Sequence, residues 1–460
     1  MRHCIVNLGC KVNRVEADGF ERQLRAAGSA PAELAQADLV VVNTCTVTGE
    51  ADKKARKAVR QALRANPSAR VLVTGCAAAL RPGGFEALGE RVSAVGKEGM
   101  GAAIAGAVEA LRGGEGAMGA AMGGGSGAGG GAWTVGGMAG GVAGPAGPGP
   151  SLVAAAPPAG GAVEPACATS LEGPSALLPG GRARVGVKVQ DGCDNACTYC
   201  IVHVARGPAR SVPAAAIAAE VEALARAGVR EVVLTGINLG SYRDGATDLP
   251  ALLGLLLART ADLHGPDEPP CRFRLSSIEP ADVSPSLVEA LAAAEGRLCR
   301  HLHLPLQSGS SRVLAEMARP YDADAYVALV ERLRASLPRL ALATDVIVGF
   351  PGEAEGDFER TCAVARACGF MNMHVFPYSR REGTPAAERA DQVAAPVRAD
   401  RAARLRALAA RLRDADRAAR AGSVELALVE APGRAMTESY YEVTPPDPAP
   451  LGRLVRLTLD

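Results

Sequence analysis

Short apolar runs alternate with stretches in which apolar positions recur every three to four residues. Over residues 1–112 the runs at 5–8, 38–42 and 71–74 have strand character, while 16–27 and 52–65 carry helical spacing, the first ending at Gly28. A β-α-β-α-β succession predicts a parallel sheet covered by helices, with ligands beyond the carboxyl ends of its strands. Regular alternation returns over 182–388. Strands are predicted at 185–190, 231–235, 272–276, 301–304, 342–348 and 373–377, with helices such as 214–227, 287–294, 311–317, 326–337 and 357–367 between them. Six strand–helix repeats predict a partial (β/α)6 TIM-like barrel whose active site lies at the carboxyl ends of the strands. Residues 398–420 form an Arg/Ala-rich helical stretch, and 424–460 break into short strands around a Pro-rich loop at 445–450. The expected fold class is α/β.

Composition divides the chain further. From 113 to 181 it collapses into Gly, Ala, Met and Pro with almost no charge, and its few apolar residues keep no period. Such a segment cannot bury enough side chain to offset the entropy of ordering it, so a disordered insertion or linker is expected. Collagen is excluded because the glycines keep no three-residue register. The resulting division is 1–112, 113–181, 182–420 and 421–460. A net charge of +1 advertises no global nucleic-acid footprint, so any basic surface must be local. Twelve cysteines in 460 residues are no secreted disulfide scaffold and suit metal ligation in a reducing compartment. With no signal-peptide core and no long uncharged apolar run outside the Gly/Ala tract, a cytoplasmic protein without membrane segments is expected.

The strongest chemical signal is Cys193, Cys197 and Cys200 in Asp191-Gly192-Cys193-Asp194-Asn195-Ala196-Cys197-Thr198-Tyr199-Cys200, directly after the first barrel strand. Three thiolates can hold three irons of a [4Fe–4S] cube and leave the fourth iron open to a small molecule. Zinc would want a fourth ligand, for which His203 is the nearby candidate, and three buried thiols are the bland alternative. The spacing and Tyr199 resemble the radical SAM superfamily, which implies S-adenosylmethionine chelated at the open iron. Loops after the following strands offer contacts for that cofactor: Gly236 and Asn238, Ser276 and Glu279, Gln307, and Asp345. A second set, Cys10, Cys45 and Cys76, is some thirty residues apart. Each thiol follows one strand of the N-terminal sheet, so three loops at one edge each deliver one.

Together these motifs resemble the radical SAM methylthiotransferases, which convert C–H to C–SCH₃. Leu8-Gly9-Cys10-Lys11, Asn43-Thr44-Cys45, Gly75-Cys76, the triplet, Pro305-Leu306-Gln307-Ser308-Gly309-Ser310 and residues 345–352 carry the resemblance. Gly9-Cys10-Lys11-Val12-Asn13, the run at 234–242 and His374-Val375-Phe376-Pro377-Tyr378-Ser379 are similar to one branch of it. That branch makes 2-methylthio-N6-threonylcarbamoyladenosine at position 37 of tRNA, beside the anticodon. The resemblance implies an N-terminal cluster domain, a radical SAM barrel and a small C-terminal β-domain of the TRAM type that grips tRNA. It implies two [4Fe–4S] clusters, the triplet ligating one and Cys10, Cys45 and Cys76 the other, with an external electron donor and an anticodon-loop substrate. No general acid or base is assigned, and a monomer is expected. The chain departs from the family in having His203-Val204 before Ala205-Arg206-Gly207, where Pro-Tyr is usual.

Two basic arrays are candidates for RNA phosphates: Lys53, Lys54, Arg56, Lys57, Arg60 and Arg64, and the arginines of 398–420. Tyr242, Tyr378, Tyr440 and Tyr441 are candidates for base stacking. Competing readings are the same chemistry on isopentenyladenosine in tRNA or on a ribosomal-protein aspartate, and a non-catalytic iron–sulfur or zinc RNA-binding protein.

Overall fold

All six residues of Leu39–Thr44 are buried, as a parallel strand covered on both faces must be. In the computed structural model, which describes residues 1–46, 49–118, 183–265, 268–294, 296–446 and 449–459, this strand is the middle of a five-stranded parallel sheet. With β1 as Arg2–Asn7, β2 as Leu39–Thr44, β3 as Arg70–Gly75 and β4 as Val92–Ala94, the order is Ala30–Pro31, β1, β2, β3, β4. Helices α1 (Lys11–Ala26), α2 (Gly49–Ala65), α3 (Cys76–Leu80) and α4 (Met100–Met118) accompany it. Helix α1 begins five residues before the predicted start. Its N-cap is Cys10, which offers no side-chain cap, and buried Asn13 interrupts the apolar face of Val12, Ala17, Phe20 and Leu24. Neither usual start signal was therefore present. Helix α4 runs on through Gly113 to Met118; the rest of the Gly/Ala-rich stretch expected to be a disordered insertion, with Trp133 and Cys167, lies outside the described residues.

The second unit is the partial barrel. Its strands are β5 (Arg184–Lys188), β6 (Glu231–Thr235), β7 (Arg272–Leu275), β8 (His301–His303), β9 (Ala341–Val348) and β10 (Asn372–Pro377), all in parallel pairings. Two half-sheets, β7-β6-β5 and β8-β9-β10, meet through isolated bridges at Phe273–Leu298 and Ser277–His303. Among the described residues β5 and β10 do not pair, and the barrel is open there. The alternation of β5 explains the layering: Val185 and Val187 face the helical shell, while Arg184 and Gly186 line a cavity with Val233, Thr235 and Arg274. The interior is therefore polar.

Helix α1 covers the open side. A Cβ placed on Gly186 would stand 2.4 Å from Val15 Cγ2, so glycine is what lets helix and strand touch. Gly186→Val is expected to lower the unfolding free energy by about 1–3 kcal/mol, as overpacking does. Urea denaturation against the parent checks this; an unchanged midpoint would mean the helix–strand contact carries no stability.

The C-terminal sheet, β11 (Val424–Ala431), β12 (Arg434–Thr437), β13 (Glu442–Val443) and β14 (Leu454–Thr458), is antiparallel in the order β13-β12-β11-β14. It is tied to the barrel by two buried arginines. Arg272 donates to the Leu426 and Met436 carbonyls, and Arg274 to those of Thr437 and Glu438. Helix α12 (Ala395–Arg420) straps the barrel, and part of its expected phosphate array is engaged there instead, while Arg411, Arg413 and Arg417 stay exposed. Arg401 pairs with Glu353 and Glu355, Arg404 with Glu355, Glu359 and Asp400, and Arg420 with Asp416 and Glu425. Arg398 and Arg406 donate to the Tyr378 and Val375 carbonyls. Lys53, Lys54, Lys57, Arg60 and Arg64 of α2 remain exposed. No helix is long and apolar enough to cross a membrane among the described residues.

Candidate functional site

Cys10, Cys45 and Cys76 follow β1, β2 and β3, three neighbouring strands, so the sheet itself gathers their loops. Asn13 is the hub. Its amide donates to Asn43 Oδ1 (2.9 Å) and the Thr44 carbonyl (3.0 Å), and its Oδ1 lies 3.2 Å from Cys10 Sγ. A Cβ on Gly75 would collide with the Thr44 carbonyl oxygen at 2.3 Å, and φ there is +91°, so only glycine lets the Cys76 loop close against the Cys45 loop.

The triplet loop leaves the barrel after β5. Gly192 has φ +73°, and a Cβ there would stand 1.9 Å from the Pro208 carbonyl oxygen. Thr198 anchors the loop, donating to the Met317 and Glu316 carbonyls. Arg319 donates to Cys197 Sγ at 3.0 Å and is paired with Glu279. Burial pushes the Cys193 thiol up and the Cys200 thiol up to about 11, so ligation there must displace protons.

Arg206, on the short helix α5 (Val202–Arg206) after the triplet, joins the two sets of thiols. Buried at 5 % exposure, it donates to Cys76 Sγ (3.2 Å), Asn13 Oδ1 (3.0 Å), Asp191 Oδ1 (2.7 Å) and Glu16 Oε1 (3.1 Å). Between Thr46, beside Cys45, and Cys200 lies a cavity of about 170 Å³ that Gln307, Asp345 and Tyr378 also line. Of the six thiols, that of Cys200 lines this space directly.

Among the described residues, the one set of three His, Cys or carboxylate ligand atoms within 4.8 Å of one another is His303, Asp345 and His374. Each thiol set offers three cysteine sulfurs, the donors that [4Fe–4S] clusters take, so the residues present fit a cluster with one iron left open.

The predicted cofactor loops sit where the barrel places them. Gln190 Oε1 accepts from the backbone of Ile237 and Asn238 at 2.9 Å each, and Gly236 leaves room for it. Asn238 Oδ1 and Ser276 Oγ are buried without partners, open donors and acceptors at strand ends. Gln307 is held at φ +61°, bonded through its backbone to Asp345 and Ile347. Glu279, by contrast, faces Arg319. His303 Nε2 lies 3.2 Å from Asp345 Oδ1, in register beside His374, whose basicity burial lowers. Sequence reasoning missed Asn13, Arg206, Arg319, His303 and His374; Asn13, Arg206 and His374 lie inside quoted motifs, while Arg319 and His303 carry no local signal.

The stacking candidates need correction. Tyr242 and Tyr441 are buried and donate to the Val212 carbonyl and the Asp416 carboxylate, and Tyr378 packs against Phe350. Tyr440 alone projects into a large cavity.

Residues 187–365 match the model of the Radical SAM superfamily, and residues 2–95 that of the uncharacterized protein family UPF0004. The chain is 33% identical over 408 residues to the threonylcarbamoyladenosine tRNA methylthiotransferase MtaB of Bacillus subtilis, covering 88% of this chain and 79% of that one. It is 35% identical over 428 residues to the protein of the same name from Treponema pallidum, with 88% and 86% covered. In structure it is similar to the radical S-adenosylmethionine methyltransferase TsrM from Kitasatospora setae, solved with cobalamin and a [4Fe–4S] cluster. The TM-score is 0.52 at 15% identity, over 84% of this chain and 77% of that one, a likeness of fold. With relatives this similar over most of their length, and the thiols arranged as described, the chain belongs to the radical SAM methylthiotransferase family.

Proposed function

We propose that the protein methylthiolates C2 of N6-threonylcarbamoyladenosine at position 37 of tRNA, giving 2-methylthio-N6-threonylcarbamoyladenosine. The observation that carries this reading is the bridge from Arg206, on the short helix that follows the triplet, to Cys76 and to the Asn13 hub beside Cys10. A sulfur-insertion enzyme needs its radical source and its sulfur source on one substrate space. The printed names of the relatives supply the nucleoside. In this reading 1–112 holds the auxiliary cluster, 182–420 the radical chemistry and 421–460 part of the RNA contact.

When bound, S-adenosylmethionine and a [4Fe–4S] cluster on Cys193, Cys197 and Cys200 supply a 5′-deoxyadenosyl radical, and a second cluster on Cys10, Cys45 and Cys76 supplies sulfur. The chain's own residues orient and exclude water. Arg319 and Arg206 place fixed positive charge against one sulfur of each set. Asn238 and Ser276 offer neutral hydrogen bonds to a ligand, Gly236 permits close backbone approach, and Gln307 and Asp345 wall the space beside Cys200. Exposed lysines of α2 beside Cys45 suit phosphates of an extruded-base RNA.

Nucleoside mass spectrometry of tRNA from cells lacking the protein tests the reading. The methylthio product is expected to vanish while N6-threonylcarbamoyladenosine accumulates. Unchanged methylthio product, or loss of methylthio-isopentenyladenosine instead, would overturn it.

A further inference from the structure

A cavity of about 580 Å³ lies behind Cys10 and runs down the barrel interior to Tyr440. Lys11, Arg14, Arg184, Arg274 and Arg434 line it, against the two carboxylates of Asp18 and Glu430. Arg184 is paired with Glu430 at 2.5 Å, and Arg274 shares Glu231 with Arg272. Positive charge is left over. Tyr440 receives it: Lys11, Arg184 and Arg274 stand 5.5, 5.4 and 4.8 Å from its ring centroid, and His301 stacks on it at 4.8 Å. Its backbone is held at φ +71°, a conformation that costs energy in a residue with a large side chain. Asn7 Oδ1, on the same wall, is buried with no partner.

Lys11, Arg14 and Arg434 are exposed lining residues whose positive charge favours an anion, and the buried, unpartnered Asn7 amide oxygen needs a donor. When a base is extruded into a protein, its phosphates stay at the mouth and only its substituents reach inside. We infer that this cavity binds the carboxylate of an amino-acid group carried on the substrate base, with Lys11 and Arg184 meeting the carboxylate and Asn7 accepting from its amide or hydroxyl. The inference rests on the function proposed above and assigns its selectivity. A threonylcarbamoyl group supplies both the charge and the donors; an isopentenyl group would leave the cations unpaired.

The test uses reconstituted holoenzyme and two anticodon stem-loops that differ only in the threonyl group, one with its carboxylate and one with a neutral carboxamide. Wild type is expected to prefer the carboxylate by about 10- to 100-fold in kcat/KM, the range of a charged hydrogen bond. Lys11→Gln and Arg184→Gln should each lose most of that preference by slowing the carboxylate substrate alone. Iron content identifies any variant that fails to load its clusters. Because Lys11 neighbours Cys10, Arg184→Gln carries the test if Lys11→Gln loads poorly. Equal wild-type rates on both stem-loops, or variants that slow both alike, would overturn the carboxylate site while leaving the proposed function standing. Activity on neither would overturn the function, and this inference with it.

Discussion

Cys197→Ala is expected to abolish reductive cleavage of S-adenosylmethionine, whereas Cys45→Ala should leave cleavage intact and lose thiomethyl transfer. The two thiols sit in separate frames. Cys197 is buried on the triplet loop under Arg319, while Cys45 follows β2 in the N-terminal sheet. Loss of a hydrogen-bond partner around a metal ligand already costs about 10- to 100-fold, so loss of the ligand itself should exceed about 100-fold. Anaerobic reconstitution should give about eight irons per chain in the parent and about four in each variant, as two cubes demand. Chromatography of 5′-deoxyadenosine separates the roles. Full product from Cys45→Ala would remove the sulfur-donor assignment, and full cleavage by Cys197→Ala would remove the radical one.

The second large effect concerns assembly. Glu231→Gln should destabilise the protein by about 3–5 kcal/mol, the cost of breaking a buried ion pair. Its carboxylate is fully buried and holds Arg272 at 2.5 Å and Arg274 at 2.7 Å, and those guanidiniums bind four carbonyls of the C-terminal unit. Without the carboxylate two enclosed cations face neutral acceptors alone. Urea midpoints measure this, with Glu222→Gln as control. Glu222 pairs with the exposed Arg259 at 3.1 Å, and that substitution should cost less than about 1 kcal/mol. Burial alone would raise the Glu231 carboxyl, but Arg272 and Arg274 hold it at about 2, below its ordinary 4.5. A depressed carboxyl stabilises above its unfolded pKa and loses that contribution as pH falls through the folded one. Parent stability should therefore drop between about pH 4.5 and 2, with a shallower drop in Glu231→Gln. Equal acid sensitivity would mean that other carboxylates dominate.

Much of this architecture was legible before folding. The strand predicted at 231–235 is β6, residue for residue, because a continuous apolar run between turn residues has few alternatives. Starts were less legible where function intrudes: α1 begins at a cysteine that does not cap and buries an asparagine that serves the thiol loops. The arginines of α12 misled for a related reason. A charged helix face has the same pattern whether it meets RNA or carboxylates of its own barrel, and Glu353, Glu355 and Glu359 come from elsewhere in the chain. Tyrosine identity likewise says nothing of exposure.

What the sequence by itself determined was local: the periods of the two parallel sheets and a thiol after each of three strands, because periodicity and spacing are written in neighbouring residues. Only the tertiary structure decided what those thiols face. Arg206 reaches Cys76 across 130 positions, and Tyr440 arrives in the barrel interior from a sheet that, among the described residues, pairs none of its strands with the barrel's. A side-chain pattern states which face is buried; the partner that buries it depends on how separate elements pack, and that placed a cationic cavity behind Cys10.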